Sequence, residues 1–216
     1  MTATLAAFAL AATLLILAPG PDSMLVLRNT LRGGRRAGWV TASGTMSGLL
    51  VWATAAALGL SALLQASRVG YDVLRIAGAC YLAWLGLTSL GLFRRAEPAP
   101  ETGDRPGPPV RDETNRVTRR RLYLTGLVSN LLNPKIGVFF IAFLPGFIPS
   151  RSPAPALSFG LGLWFVAETG VWLATVAWLA ARGVGWLSRP GRRRWLERAT
   201  GVVLIGFGVR LALASR

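Results

Sequence analysis

Six long apolar runs, at approximately 3–31, 38–64, 71–93, 122–148, 156–181 and 196–214, set the terms on which this chain can fold. A hydrocarbon core is crossed by about 20 consecutive apolar residues in a helix, and within it every backbone N–H and C=O has to be bonded inside the segment. The runs therefore predict an all-α polytopic membrane protein with six transmembrane helices. A cleaved signal peptide is the alternative for the first run, but no basic residue precedes Arg28, so the charged n-region is missing.

Charge orients the spans. The 216 residues carry a formal net charge of +15, which in a soluble protein would suggest a nucleic-acid partner. Here the Arg residues fall between the apolar runs, which points to loops facing anionic headgroups and no nucleic acid. Arg28, Arg32, Arg35 and Arg36 lie in the first loop, Arg119, Arg120 and Arg121 close the third, and Arg192, Arg193 and Arg194 sit in the fifth. Loops two and four offer little beyond Arg68 and Arg151. Odd loops are thus expected to be cytoplasmic and both termini periplasmic.

The third loop, 94–121, mixes charge with Pro98, Pro100, Pro106, Pro108 and Pro109, a composition unable to bury a core. It reads as a flexible cytoplasmic linker inside a single membrane transport domain, between a first three-helix repeat at 1–93 and a second at 122–216. Pro19 interrupts the first span and Pro134 the fourth, while Arg75-Ile76-Ala77-Gly78 is echoed by Arg198-Ala199-Thr200-Gly201. With three spans per half the second repeat must be inverted, an arrangement common in secondary transporters, whose site lies at the repeat interface.

Leu17-Ala18-Pro19-Gly20-Pro21-Asp22-Ser23 cannot continue a helix, because both prolines lack a donor and clash with the preceding turn. Pro21 suits the first position of a restarted helix, with Asp22 beside its exposed N–H groups. Asn130-Leu131-Leu132-Asn133-Pro134-Lys135 repeats the device, Asn133 capping and Pro134 opening a half-helix. Two such N-termini at membrane depth suit a substrate carboxylate; two ordinary proline kinks are the plain alternative.

Ionisable groups inside apolar runs are costly, and three stand out: Asp22, Lys135 and Glu168. Lys135, the only Lys, can hold a carboxylate. Asp22 or Glu168 can hold an ammonium or carry a proton. A mutually satisfied ion pair that locks the bundle is the structural alternative, and Asp22 and Lys135 lie near enough to span ends for snorkelling. Ala3, Ala7 and Ala11, or Gly44 and Gly48, read as small-residue packing faces. Trp52, Trp164, Trp172 and Phe139 read as interface anchors or pocket lining.

Taken in order, Pro19-Gly20-Pro21-Asp22, Arg32-Gly33-Gly34-Arg35-Arg36-Ala37-Gly38, Gly78-Ala79-Cys80-Tyr81-Leu82-Ala83-Trp84-Leu85-Gly86 and Asn130-Leu131-Leu132-Asn133-Pro134-Lys135 with Phe143-Leu144-Pro145-Gly146-Phe147 make a chain that resembles the LysE/RhtB exporters of lysine, homoserine and threonine. The resemblance covers nearly everything but the linker. It implies amino-acid export across a bacterial inner membrane, driven by the proton gradient, with the Pro-Gly-Pro-Asp and Asn-Pro-Lys positions in the site. Many relatives carry an acidic residue or His early in the second span, where this chain has Gly48-Leu49-Leu50-Val51-Trp52, a departure that favours a neutral amino acid.

The expected site is accordingly Pro19, Gly20, Pro21, Asp22, Asn130, Asn133, Pro134, Lys135 and Glu168, with proton coupling at Asp22 or Glu168. The expected partners are a small amino-acid substrate and membrane lipid, with room left for a homodimer. No cofactor or metal is expected, since the chain has no His and only Cys80. A divalent-metal exporter would need more intramembrane carboxylates or His. A membrane enzyme or redox relay would need a nucleophile, a base or a second thiol.

Overall fold

In the computed structural model of the protein, residues 2–17, 20–66, 68–90, 112–148, 154–183 and 190–213 are described. Their regular structure is helical throughout: α1 (Thr2–Leu17), α2 (Pro21–Ala66), α3 (Arg68–Ser89), α4 (Asp112–Leu131), α5 (Pro134–Val138), α6 (Ala154–Ala181) and α7 (Pro190–Leu213). A π-helical turn at Phe139–Phe143 and a 3-10 turn at Leu144–Phe147 follow α5. Pro19 and most of the linker, 91–111, lie outside the described residues; α4 begins at Asp112, upstream of the expected span start at 122.

α2 runs through both the first and second apolar runs, and Gly34 divides it. Its φ of 73° and ψ of −179° are not helical. Asn29 Nδ2 donates to Thr41 Oγ1 at 2.9 Å, although the same number of residues in a straight helix would span about 18 Å. The chain therefore doubles back at Gly34 into two arms, residues 21–33 and 35–66. A left-handed residue between helices strains any side chain with a Cβ, so glycine is required there. Gly38 lets the arms close, since a Cβ at that position would lie 2.0 Å from Thr30 Oγ1.

By length and composition one described helix, over Pro155–Ala181, can cross a membrane alone. The total rises to three when two bent pairs each count as one span: Thr4–Leu17 with Pro21–Gly59, bent by 48°, and Thr118–Leu131 with Pro134–Phe147, bent by 49°. The sequence expects six. The difference arises because Pro21–Gly59, which doubles back at Gly34 and carries parts of two expected spans, counts within one bent pair, because α3 offers only Ile76–Ser89 as a continuous apolar stretch, and because α7 opens on Arg192, Arg193 and Arg194.

Small residues set the packing, because without Cβ atoms two backbones can touch. A Cβ at Gly44 would lie 2.0 Å from Tyr123 O, and one at Gly126 would lie 2.2 Å from Thr41 O, so α4 lies directly on the second arm of α2. α6 covers both arms: Val26 packs with Leu173, Val176 and Ala177, and Gly162 abuts Ala53. Gly86 of α3 and Gly201 of α7 face one another's carbonyl oxygens. Between these pairs lies a phenylalanine cluster built on the π-helical turn. Phe139 stacks on Phe165 with centroids 4.2 Å apart, Phe143 meets Phe207 at 4.7 Å, and Phe8 stands edge-on to Phe147 at 5.4 Å. The irregular stretch thereby holds α1, α6 and α7 together.

Candidate functional site

Both helix restarts adopt the geometry their sequences demand. Asn133, extended at φ −74° and ψ 106°, accepts from Lys135 N through its side chain, and Pro134 stands in the first turn of α5. Pro21 opens α2 with Asp22 in its first turn, and Met24 N donates to Gly20 O at 3.1 Å. Capping satisfies orphan donors that apolar surroundings would leave unpaired.

The two restarts meet across the fold. Asn130 Nδ2 donates to Asp22 Oδ2 at 2.9 Å, and Asn133 Nδ2 donates to the same oxygen at 3.0 Å. Asp22, Asn130, Asn133 and Lys135 are all buried, the Asn130 side chain completely. Asp22 and Lys135 attract one another. Lys135 Nζ also donates to Leu15 O at 3.0 Å. In an unbroken helix that carbonyl would accept from residue 19, but Pro19 has no N–H, so the ammonium supplies a donor the proline cannot. Lys135 is thus engaged within the protein interior and does not snorkel outward.

Two acceptors in the cluster are left over. Asp22 Oδ1 and Asn130 Oδ1 are buried with no hydrogen-bond partner among the described residues, the Ser129 side chain being close to Asp22. Turning the Asn130 amide around would set its oxygen against Asp22 Oδ2, so the orientation is fixed by its bond. Gly48 of α2 completes the wall, since a Cβ there would come within 2.7 Å of Asn130 Oδ1. A group bringing several N–H donors fits such a place.

Asp22, Asn130, Asn133 and Lys135 are therefore brought together as the sequence anticipates, with Gly20 and Pro21 adjoining. Pro134 is exposed, and Pro19 is not described. Glu168 is bonded elsewhere: Thr13 Oγ1 is its hydrogen-bond partner. Trp172, one turn further along α6, donates from Nε1 to Ser23 Oγ at 3.0 Å and so ties α6 to the residue beside Asp22. Of the other aromatics, Trp52 contacts Gly137 and Trp164 is exposed. Sequence reasoning missed Leu15 and Thr13. The missing N–H of Pro19 was a signal for the first, while nothing local marks the second. Gly48 was read as packing, yet it packs on a site side chain.

No solved structure matches the chain. Among curated proteins it is 29% identical to a homoserine/homoserine lactone efflux protein of Salmonella typhi, over 96% of this chain and 95% of that protein. It is 31% identical to an uncharacterized membrane protein, PA4757, of Pseudomonas aeruginosa, over 96% and 94%. A threonine efflux protein of Escherichia coli (strain K12) is 27% identical over 92% of each chain. The model of the LysE type translocators matches residues 13–215, which takes in both restarts, the buried cluster and Glu168. The chain belongs to the LysE type translocator family and is a membrane transporter, not an enzyme.

Proposed function

We propose that this protein exports a neutral amino acid, or a close derivative, across a bacterial inner membrane in exchange for protons. The observation that carries the reading is the buried cluster: two acceptors with no hydrogen-bond donor among the described residues, Asp22 Oδ1 and Asn130 Oδ1, beside the chain's only Lys. An α-ammonium supplies three donors to Asp22 and Asn130. The α-carboxylate takes the Lys135 ammonium, with Gly20 and Pro21 shaping the opposite restart. The efflux relatives named for homoserine and threonine fit this reading. A glycine at position 48 favours a neutral side chain, because a second anion for a cationic substrate has no place against Asn130.

The proposed architecture is six spans in an inverted 3+3 repeat, with broken helices in spans one and four and periplasmic termini. Packing supports the symmetry. The first arm of α2 lies on α6 as α4 lies on the second arm of α2, which is what exchange of spans one with four and two with five requires. The buried cluster is then the closed state of a site opened alternately by rocking one half against the other.

Energised inside-out vesicles test this directly, since export appears as uptake. Labelled threonine and homoserine should accumulate and labelled lysine much less, and a protonophore should abolish the accumulation. Uptake that ignores the protonophore refutes antiport, and no uptake of any amino acid refutes the substrate class.

A further inference from the structure

The end of α6 lies against the basic fold-back at Gly34. Between them opens a cavity of about 580 Å³, lined by Thr30, Leu31, Gly34 and Arg35 on one side and by Trp178 and Arg182 on the other. The helix long and apolar enough to cross a membrane ends at Ala181, so Trp178 lies in its last turn and Arg182 just beyond it, where headgroups replace hydrocarbon. The Arg182 guanidinium stacks on the Trp178 ring, 3.9 Å from its centroid. Stacking fixes the plane of the fork and leaves its edge to bond an anion. Carbonyls ending a helix repel anions, but those of Trp178, Leu179 and Ala180 accept from Arg182 N and Gly183 N. Arg35 also lines a second cavity, of about 500 Å³, with Arg36 and Trp39. α2 and α6 bring no carboxylate to these arginines: the sequence has no acidic residue between Asp22 and Asp72 or between Glu168 and Glu197. Asp22 and Glu168 themselves stand about 20 Å along their helices from the cavity, bonded in the interior.

We propose that this cavity binds an anionic phospholipid, its phosphodiester held between Arg35 and Arg182 and an acyl chain lying along Leu31. Phosphate oxygens accept paired N–H bonds from a guanidinium fork, and two forks facing one cavity suit one phosphodiester. Apolar surface beside the charge distinguishes a lipid from a free anion: Leu31 is 56% exposed and Trp178 40%. An aromatic ring and a leucine at this level match the boundary between headgroup and acyl chain. A zwitterionic headgroup brings its own cation against the arginines and fits less well. A lipid so placed joins the turn of α2 to the end of α6, along the seam that Val26, Leu173, Val176 and Ala177 close within the bundle. The assignment depends on neither the transported substrate nor proton coupling.

The test uses the purified full chain in an uncharged detergent, with phosphatidylglycerol, phosphatidylcholine and inorganic phosphate added in turn. Two readouts are taken: the unfolding temperature, and the labelled lipid retained per chain after gel filtration. Phosphatidylglycerol should raise the unfolding temperature saturably and be retained, whereas phosphatidylcholine and inorganic phosphate should do neither. Arg35→Gln and Arg182→Gln should each weaken phosphatidylglycerol binding by roughly tenfold to a hundredfold, the worth of a charged hydrogen bond. Arg198→Gln, the same loss of charge at an exposed position of α7, should leave it unchanged. Each variant is compared with itself without lipid, so a lower starting stability does not obscure the outcome. Phosphatidylcholine that stabilises as well as phosphatidylglycerol overturns the anionic site. Inorganic phosphate that does so at equal concentration gives the cavity to free anions and overturns the lipid. Unchanged binding in either Arg35→Gln or Arg182→Gln refutes the paired grip, and an equal loss in Arg198→Gln reduces the effect to diffuse charge.

Discussion

Replacing Lys135 by Met separates the two tasks the structure sets for this side chain. Its stem is buried, and Met fills a similar volume at a cost of less than about 1.5 kcal/mol. Removing Nζ leaves Leu15 O without the donor it has at 3.0 Å, which costs about 1–3 kcal/mol for a buried acceptor. Asp22 also loses its attraction to the ammonium. The variant should therefore unfold at a lower temperature than wild type, by an amount matching about 2–4 kcal/mol, yet still insert. Transport should fall further. A charged hydrogen bond to the substrate carboxylate worth about 3 kcal/mol corresponds to roughly 100-fold in transport efficiency. Lys135→Arg should recover part of this, because a planar guanidinium keeps the charge but cannot occupy the space of a compact ammonium. Vesicle uptake normalised to membrane abundance, measured beside thermal unfolding in detergent, reads both tasks. Near-normal transport by the Met variant removes Lys135 from the site, and an unchanged unfolding temperature refutes its bond to the α1 carbonyl.

Gly44→Ala should destabilise the protein by about 3 kcal/mol, since its Cβ would meet the Tyr123 backbone oxygen at 2.0 Å, whereas Gly59→Ala, with nothing within 4 Å, should not; thermal unfolding of both variants checks this, and equal stability refutes the α2–α4 contact. Single cysteines at positions 103 and 215, in a Cys80→Ser background, should label from opposite sides of the membrane, and labelling from one side refutes the proposed topology. Deletion of residues 99–110 should leave transport largely intact, because their Pro-rich composition gives them nothing to pack; loss of export from a stably inserted deletion would assign that segment a role in gating.

Much of the site could be read from local chemistry. Pro21 and Pro134 must begin helices rather than continue them, Asn133 is the natural cap ahead of Pro134, and intramembrane Asp22, Lys135 and Glu168 announce themselves by the cost of placing charge in an apolar run. Each inference depends on residues within a turn of one another. The fold-back at Gly34 was legible only as a basic loop. That the loop is almost absent, its glycine turning one helix directly into the next, depends on Asn29 finding Thr41 and Gly38 admitting Thr30.

The sequence by itself determined the helical class, the two restarts and which side chains carry charge, because backbone donors, proline rings and desolvation act over a few residues. Only the tertiary structure decided the pairings. It sent both Asn130 and Asn133 to one oxygen of Asp22, gave Lys135 the carbonyl that Pro19 leaves unpaired, and placed Glu168 against Thr13 instead of in the same cluster. Those partners lie more than a hundred residues apart in the chain. Which of them meet is settled by how closely glycine-lined helices approach, and no local pattern records that distance.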